Sequence, residues 1–248
     1  MVDAVHPQDP DHGSNVVDLL LDRIAQVSSV GLDECDGDRA PRIVGIGGSV
    51  AVGKSTLADA VVDRLGGAVT VIGTDGFLYS NAVLEARGAI DRKGEPDTYD
   101  EEALLGLLHQ VRSGVAEIAV PTYSHRTFDV GRPTLRTVHP LVLVEGVNAL
   151  QPRLVEAYDL AVYLDADETV VKAWFVERFL AQVTDAESDP TSFYQRFVGL
   201  GLSERRAMAS SVWDQINLPN LRRFVVPTRA HADLVVVLDT DHRSVVPS

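Results

Sequence analysis

Residues 42–56 place a glycine-rich turn between a short apolar run and the start of a helix, which constrains the fold more than any other stretch. Gly48 and Gly53 bracket four residues and precede Lys54 and Ser55, matching the G-x-x-x-x-G-K-[ST] pattern of a phosphate-binding loop. The apolar run 43–46 predicts a buried strand, and helical spacing of apolar residues over 55–65 predicts a helix. The predicted loop is Gly48, Ser49, Val50, Ala51, Val52, Gly53, Lys54, Ser55 and Thr56.

Such a loop suits a polyphosphate, because the turn aims successive backbone N–H groups at one point and the helix N-terminus adds partial positive charge. Lys54 is expected to lie against the β- and γ-phosphates of a nucleoside triphosphate, and the Ser55 hydroxyl to ligate Mg²⁺. The alternative is a glycine turn that merely connects a strand to a helix, which the matching flanks disfavour. The sequence therefore predicts a site for ATP and Mg²⁺.

Composition and charge limit the classes of binding partner and the cellular compartment that we expect for this chain. The net charge of −14 argues against nucleic acid and anionic membranes as partners, since both need a basic face. No apolar run approaches the roughly 20 residues that cross a bilayer, and the first residues lack the basic and apolar parts of a signal peptide. The single cysteine, Cys35, excludes an intrachain disulfide and fits a reducing cytosol. We therefore expect a cytoplasmic protein that acts on a small molecule.

Strand and helix patterns alternate through most of the chain, which predicts an α/β fold with a doubly wound, mostly parallel sheet flanked by helices. The 248 residues, 45% of them hydrophobic, suffice for one such domain at 41–248. Residues 1–40 are expected to comprise a disordered tail, a short helix at 16–27 and a polar linker. Residues 88–97 are interpreted as an exposed loop that closes over a nucleotide. The predicted strands are 43–46, 68–72, 116–120, 141–144, 160–164 and 234–238, and the later helices are 55–65, 81–87, 100–112, 168–182 and 203–216.

Polar side chains follow three of the predicted strands, at the edge where open α/β sheets bind ligands. Asp75 is a candidate to ligate Mg²⁺ or to take a proton from an attacking hydroxyl, although Asp75-Gly76 is also a common turn dipeptide. Glu145 ends a Walker-B-like strand and is expected to hold the Mg²⁺. His125 could position a substrate or serve only the structure.

Several separate motifs follow one another in order over roughly residues 41–242 and are far more specific than the phosphate loop alone. In residues and spacing they resemble the type I (bacterial) pantothenate kinases. The resemblance implies a P-loop kinase that uses ATP to phosphorylate the primary hydroxyl of pantothenate, the first step of coenzyme A synthesis. The motifs are the Ser-Val-Ala-Val filling at 49–52, 74–78 with Asn81, 92–94 with 99–100, 121–125, 145–151, Trp174 with 178–180, 189–190 with Ser192, Trp213 with 216–217 and 220–221, 227–229, and His242.

The resemblance also implies roles for individual residues. Lys54 and Ser55 would serve the phosphates and Mg²⁺, and Asp75 would act as the base or orienting acid on the nucleophilic hydroxyl. Positive charge around the transferred phosphoryl would come from Lys54, Arg178 and Mg²⁺. His242 would lie beside the adenine, and the family is typically dimeric. The positions that match pantothenate contacts are Asp75, Tyr123, His125, Arg178 and Asn217.

The chain departs from this family at several positions in the acceptor and regulatory regions. Phe128 and Phe175 stand where the family carries tyrosines, so two hydroxyls that would bind the substrate are lost. Glu187 replaces a phenylalanine of the pantothenate pocket and puts an acid near a carboxylate substrate, which would cost binding unless Glu187 points away or is protonated. Asp59 replaces an arginine that binds phosphates of the nucleotide and of the feedback inhibitor, so inhibition by coenzyme A is expected to be weak.

These departures leave two alternatives to a divergent pantothenate kinase. One is a P-loop kinase of another small hydroxyl compound, such as a nucleoside or a sugar. The other is a nucleotide-binding paralogue without catalysis, which the retained Asp75 and Arg178 disfavour because binding alone requires neither.

Overall fold

A six-stranded sheet forms the centre of the structure, which is a computed structural model that describes residues 11–27 and 40–245. The strands of the chain are β1 (Arg42–Gly48), β2 (Val69–Gly73), β3 (Glu117–Ser124), β4 (Asp129–Thr137), β5 (Leu141–Glu145), β6 (Leu160–Ala166), β7 (Leu234–Leu238) and β8 (Ser244–Val245). The order across the main sheet is β2-β5-β1-β6-β7-β8, and every neighbouring pair is parallel except β7 with β8. The predicted α/β fold with a mostly parallel sheet is confirmed.

The helices connect and cover these strands. They are α1 (Asp11–Val27), α2 (Lys54–Arg64), α3 (Asn81–Ala86), α4 (Glu101–Arg112), α5 (Pro152–Val155), α6 (Glu168–Ala186), α7 (Leu202–Val212) and α8 (Leu218–Asn220). Short 3₁₀ turns occupy 74–77, 90–92, 96–98, 193–197 and 226–231, and π-helical turns occupy 213–217 and 221–225. Within residues 11–27 and 40–245, no helix is both long and apolar enough to cross a membrane.

The hydrophobic core lies on both faces of the sheet, as a doubly wound fold requires. Alternate residues of β5 point to opposite faces, so Leu141 and Leu143 join the core under α1 and α2 while Val142 and Val144 join the core under α4. Burial on both faces explains why this strand has no polar alternation. The main sheet is thus held rigidly, with the carboxyl ends of its parallel strands at one edge.

Helix α1 packs into the main core rather than standing apart from it. Leu20 and Ile24 are fully buried in the same cluster as α2, and Asp18 forms a 3.0 Å ion pair with Arg64. The helix begins at Asp11, before the predicted start at residue 16. The division of the chain at residue 40 stays a prediction. The described residues do not include most of the predicted tail or residues 28–39, among them Cys35.

The region from 117 to 137 differs from the prediction. It forms an antiparallel hairpin, β3 with β4, separate from the main sheet, whereas the apolar run 116–120 predicted one strand of that sheet. Strand β4 was not predicted, because its side chains are largely exposed and its sequence does not alternate between apolar and polar residues. The last two-residue strand, β8, was also missed. Helix α7 ends at Val212 and continues as a π-helical turn, so the helix predicted at 203–216 is only partly regular.

Candidate active site

The phosphate-binding loop lies between β1 and α2, as predicted, and its two glycines adopt conformations that other residues rarely can. Gly48 has φ 139°, and a Cβ there would lie 2.4 Å from the Leu164 carbonyl oxygen. Gly53 has φ 99° and immediately precedes α2. The side chain of Lys54 turns back over the loop, where its Nζ donates hydrogen bonds to the carbonyl oxygens of Gly48 (3.1 Å) and Ser49 (2.7 Å).

Nearby carboxylates stabilise the buried positive charge of Lys54. Burial lowers the pKa of Lys54 to about 8, and the carboxylates of Glu145 and Asp75 oppose that fall. Arg178 acts in the same direction as burial. Lys54 therefore still carries its proton at neutral pH, in a place where a phosphate would add favourable charge.

The two predicted metal ligands are neighbours. The Ser55 hydroxyl is close enough to hydrogen-bond the Glu145 carboxylate, and burial raises the pKa of Glu145 while Lys54 opposes this. A Cβ on Gly146 would lie 1.7 Å from Thr74 Oγ1, so glycine alone lets the ends of β5 and β2 approach this closely.

This donor set fits Mg²⁺. One hydroxyl and one carboxylate are typical of a site where the ion keeps several waters and takes further ligands from the phosphates. Within the described part of the chain, no group of three or more His, Cys, Asp or Glu side chains forms a closed metal cage. Ser55 and Glu145 would thus hold the ion only together with a bound nucleotide.

Asp75 lies in the 3₁₀ turn that follows β2, where a hydroxyl outside the predicted site also reaches it. The phenolic hydroxyl of Tyr99 donates a 3.0 Å hydrogen bond to Asp75 Oδ1. Burial raises the pKa of Tyr99 well above its usual range, and the Asp75 charge acts in the same direction. Tyr99 therefore orients one oxygen of Asp75 and leaves the other to a ligand. The Tyr99-Asp100 pair within the family motif was the available signal.

Two cavities open on either side of Asp75. One, of about 790 Å³, extends along the phosphate loop and contains Lys54, Ser55 and Glu145. The other, of about 370 Å³, is bounded by α6 and the helical run 212–225 and is called the acceptor cavity below. The residues common to both linings are Val50, Asp75, Tyr123, His125, Val147 and Arg178. The junction thus brings together four of the polar side chains that the sequence singled out.

Arg178 and His125 are paired at this junction. Arg178 Nη2 lies 3.3 Å from His125 Nε2, and since a guanidinium can only donate, the imidazole nitrogen accepts and the ring is neutral. Burial lowers the pKa of His125, and the Arg178 charge lowers it further, whereas Asp75 opposes them.

A pH dependence of stability follows from this pair. Because its pKa is lowered on folding, neutral His125 contributes stability that is fully present above about pH 6.5 and is lost as pH falls through the lowered value. We expect the native protein to lose more unfolding free energy than His125→Gln between about pH 7.5 and about pH 5, measured by urea denaturation. Glutamine keeps an acceptor for Arg178 but does not titrate. Equal losses in both proteins would contradict the expectation.

The wall of the acceptor cavity is mainly aromatic. Phe128 has φ 56° and stacks on Phe193 with ring centroids 4.5 Å apart, and Phe175 contacts Trp213. Asn217, one of the predicted substrate contacts, also lines this cavity, at the end of the first π-helical turn. The missing hydroxyls at positions 128 and 175 therefore belong to this wall.

Glu187 points away from the acceptor cavity, which is one of the two alternatives that would spare the binding of a carboxylate substrate. Its side chain accepts hydrogen bonds of 3.2 Å from both terminal nitrogens of Arg205 on α7, and it is not among the residues that line the acceptor cavity. Glu187 follows the last residue of α6, where the helix faces α7 rather than the cavity. Neither its charge nor its bulk therefore reaches a bound acceptor.

The segment 88–97 also differs from the exposed, closing loop that was expected. The Gly94 carbonyl accepts from Asn148 Nδ2 (3.0 Å) and from Asn220 Nδ2 (3.2 Å), which ties the segment to two other elements. Lys93 lines the acceptor cavity, and its Nζ donates to Asn81 Oδ1 and to the Phe128 carbonyl, both at 2.6 Å. The sequence indicated an exposed loop, and only the tertiary contacts place Lys93 at the cavity.

His242 lies beside the phosphate loop but outside the linings of the two cavities described above. Its ring stacks on Trp174 at a centroid distance of 3.7 Å and an interplanar angle of 17°. Its Nδ1 would lie 3.7 Å from a Cβ on Gly53. Burial lowers the pKa of His242, so the ring is neutral at physiological pH. A position beside an adenine stays a prediction.

Asp59 lines the larger cavity, which extends along the phosphate loop. Its charge is one of the contributions that raise the pKa of Glu145, after burial and Asp75. The predicted weak inhibition by coenzyme A depends on this acid, because it repels phosphate. Inhibition constants of the native protein and of Asp59→Arg check it; equal inhibition of both would contradict it.

The sequence of the chain matches both a family model and individual curated proteins. A family model described as "Phosphoribulokinase / Uridine kinase family" matches residues 43–183. The pantothenate kinase of Sorangium cellulosum is 42% identical over 218 residues, which cover 82% of this chain and 71% of that protein. The pantothenate kinase of Enterococcus faecalis is 41% identical over 215 residues, covering 82% and 70%.

Solved structures share the fold at much lower identity. A protein from Silicibacter sp. TM1040, proposed there as a fructose transport system kinase, superposes with a TM-score of 0.68 at 21% identity, covering 88% of this chain and 98% of that chain. A D-glycerate 3-kinase from Cryptococcus neoformans gives a TM-score of 0.61 at 12% identity, covering 94% and 96%. At these identities the likeness shows the fold alone.

Proposed function

Since the chain belongs to the phosphoribulokinase and uridine kinase family, and within it to the pantothenate kinases, we propose that it transfers the γ-phosphoryl group of ATP to the primary hydroxyl of pantothenate. This reaction is the first step of coenzyme A synthesis. The observation that carries the proposal is the junction of the two cavities at Asp75, Tyr123, His125 and Arg178. A phosphate donor in one cavity and an alcohol in the other would meet at that junction.

Asp75 is proposed to accept the proton of the attacking hydroxyl. One of its oxygens is held by Tyr99, and a carboxylate at the junction lies within reach of an acceptor in the smaller cavity. Asp75 thus orients the hydroxyl toward the phosphoryl group and takes up its proton as the new O–P bond forms.

Lys54 and Arg178 are proposed to stabilise the charge of the phosphoryl group during transfer. Both side chains line the cavity along the phosphate loop and come from different elements, Lys54 from α2 and Arg178 from α6, so they approach a phosphoryl group there from two directions. Mg²⁺, held by Ser55 and Glu145, would supply further positive charge when bound. Positioning and positive charge are most of what phosphoryl transfer requires of a protein.

Tyr123, His125 and Asn217 are proposed to bind the acceptor, and His242 to pack beside the adenine. Tyr123 contacts His125 edge to face at 5.2 Å, and both line the acceptor cavity together with Asn217. A homodimer and a cytoplasmic location remain predictions for the protein.

The experiment is an ADP-release assay of the purified protein with ATP, Mg²⁺ and a panel of acceptors. Pantothenate is expected to give the highest kcat/KM. No turnover at millimolar pantothenate would sink the proposal. The second candidate, a kinase of a nucleoside or a sugar, is favoured only by Phe128 and Phe175, because Glu187 no longer argues for it. Turnover of such an acceptor above that of pantothenate would establish it.

Restoring a lost hydroxyl offers a direct check of the acceptor wall. We expect Phe175→Tyr to lower the KM for pantothenate by about 2- to 10-fold, the equivalent of one net hydrogen bond of about 0.5–1.5 kcal/mol. The KM for ATP should not change, because Phe175 lines only the acceptor cavity. Phe179→Tyr, one helical turn away on the same wall, serves as the matched control for overpacking. A rise in both KM values would contradict the expectation.

A further inference from the structure

Gln182 and Tyr194 are two of the uncharged polar side chains that line the acceptor cavity. Gln182 lies on α6 and Tyr194 on the 3₁₀ turn 193–197, and both line the cavity half-buried. Neither the Gln182 amide nor the Tyr194 hydroxyl has a hydrogen-bond partner within residues 11–27 and 40–245. A polar group without a partner on an apolar wall weakens the binding of apolar ligands, and it strengthens the binding of a ligand that supplies the missing hydrogen bond.

Three charged side chains of the cavity differ from these two, because they already have partners in the protein. Lys93 is held by two oxygens, Asp75 accepts from Tyr99, and Arg178 donates to His125. Their positions are therefore set before a ligand arrives. Gln182 and Tyr194 are left with their full hydrogen-bonding capacity for whatever enters.

Both side chains are associated with the part of α6 that carries Arg178. Gln182 follows Arg178 by four residues on α6, so it lies on the same face about 6 Å further along the helix axis. Tyr194 packs edge-on against Phe179 at 5.6 Å. Burial raises the pKa of Tyr194, and the charge of Arg178 opposes this rise.

We propose that Gln182 and Tyr194 form a hydrogen-bonding subsite that recognises the amide group of the acceptor. The inference rests on the proposed function. The amide of pantothenate lies only a few bonds from its reacting hydroxyl, which suits a subsite one helical turn from Arg178. Gln182 Oε1 accepts from the amide N–H, and the Tyr194 hydroxyl donates to the amide carbonyl. Neutral side chains that both donate and accept match a neutral group that does the same.

This subsite also accounts for how the chain tolerates phenylalanine at 128 and 175. Hydrogen bonds lost at those positions are replaced by bonds from another part of the same wall. Selectivity for an amide then arises at α6 and at the 193–197 turn, and a compound that lacks the amide N–H leaves Gln182 unsatisfied.

The test compares pantothenate with its ester analogue, in which oxygen replaces the amide N–H. The native protein should prefer the amide by about 10-fold or more in kcat/KM, as expected for one hydrogen bond to a half-buried group. Gln182→Leu should reduce this preference to about 2-fold or less, mainly through a higher KM for pantothenate. Gln110→Leu, an exposed position on α4, is the matched control and should keep the native preference. Retention of the preference in Gln182→Leu would overturn the inference.

The Tyr194→Phe variant provides a second, independent test of the subsite. It should raise the KM for pantothenate about 5-fold, with the KM for ATP and the melting temperature unchanged, because only a hydroxyl is removed. An unchanged KM for pantothenate would overturn the role of Tyr194. If the native protein phosphorylates neither compound, both the proposed function and the inference fail. If it phosphorylates the amide and the variants behave as native, only the inference fails.

Discussion

Replacing Asp75 by asparagine is expected to lower kcat by about 1,000-fold, within the range of about 10²–10⁴ that a positioned general base contributes. Asparagine keeps the size of the side chain and can still accept the hydrogen bond from Tyr99, so the local structure should survive. What is lost is the group that takes the proton from the attacking hydroxyl. The measurement is steady-state ADP release with saturating ATP and pantothenate.

The control for this variant is Asp63→Asn, which removes one carboxylate from the exposed end of α2, away from the cavities. It should retain native kcat. Nucleotide binding by Asp75→Asn should stay within about 3-fold of native, because a base on the acceptor hydroxyl does not hold the nucleotide. Unchanged turnover would remove Asp75 from the chemistry and would leave room for a paralogue that only binds nucleotide.

Replacing Lys54 by methionine is expected to lower kcat by about 10²–10³, the usual effect of removing one donor aimed at developing charge in a water-poor site. The Lys54 ammonium is buried, and its position over the loop is set by hydrogen bonds to two loop carbonyls. Affinity for the nucleotide should fall as well, because the same charge binds the ground state. Single-turnover phosphoryl transfer and calorimetric titration with ADP separate the two effects.

Lys172→Met is the matched control for this variant. Lys172 lies on α6 and forms a surface ion pair with Asp214 at 2.8 Å, so its loss should cost little stability and no activity. Methionine at position 54 is compatible with folding, since it removes a charge from a buried place. A Lys54→Met protein with native melting temperature and native kcat would contradict the role given to this lysine.

Much of the site could be predicted from sequence because its signals are local. The phosphate loop depends on glycines at two positions and on the residues directly after them, all within one strand-turn-helix unit. Asp75 and Glu145 were recognisable because each follows a buried strand, and parallel strands bring their carboxyl ends to one edge. Arg178, Tyr123 and Asn217 required the family resemblance, since no local pattern marks them, whereas the place of His125 after a predicted strand left a substrate role and a structural role both open.

The acceptor cavity was far less predictable, because its walls come from segments distant in the chain. Tyr99 is connected to Asp75 across 24 residues, and Lys93 to the Phe128 carbonyl across 35. The orientation of Glu187 was equally unreadable from sequence. It stands where the family carries a pocket phenylalanine, whereas the end of α6 turns its side chain toward Arg205 on α7.

Sequence by itself therefore determined the fold class, the nucleotide-binding loop and the acids at the sheet edge, because glycine conformations, strand burial and helix starts are properties of short stretches. Only the tertiary structure decided which side chains face the acceptor. The orientation of α6 places Gln182 at the cavity and leaves Glu187 outside it. The hydrogen bonds that hold residues 93–94 place Lys93 at the same cavity. Those positions depend on packing between elements far apart in the chain, and no periodicity within one element encodes them.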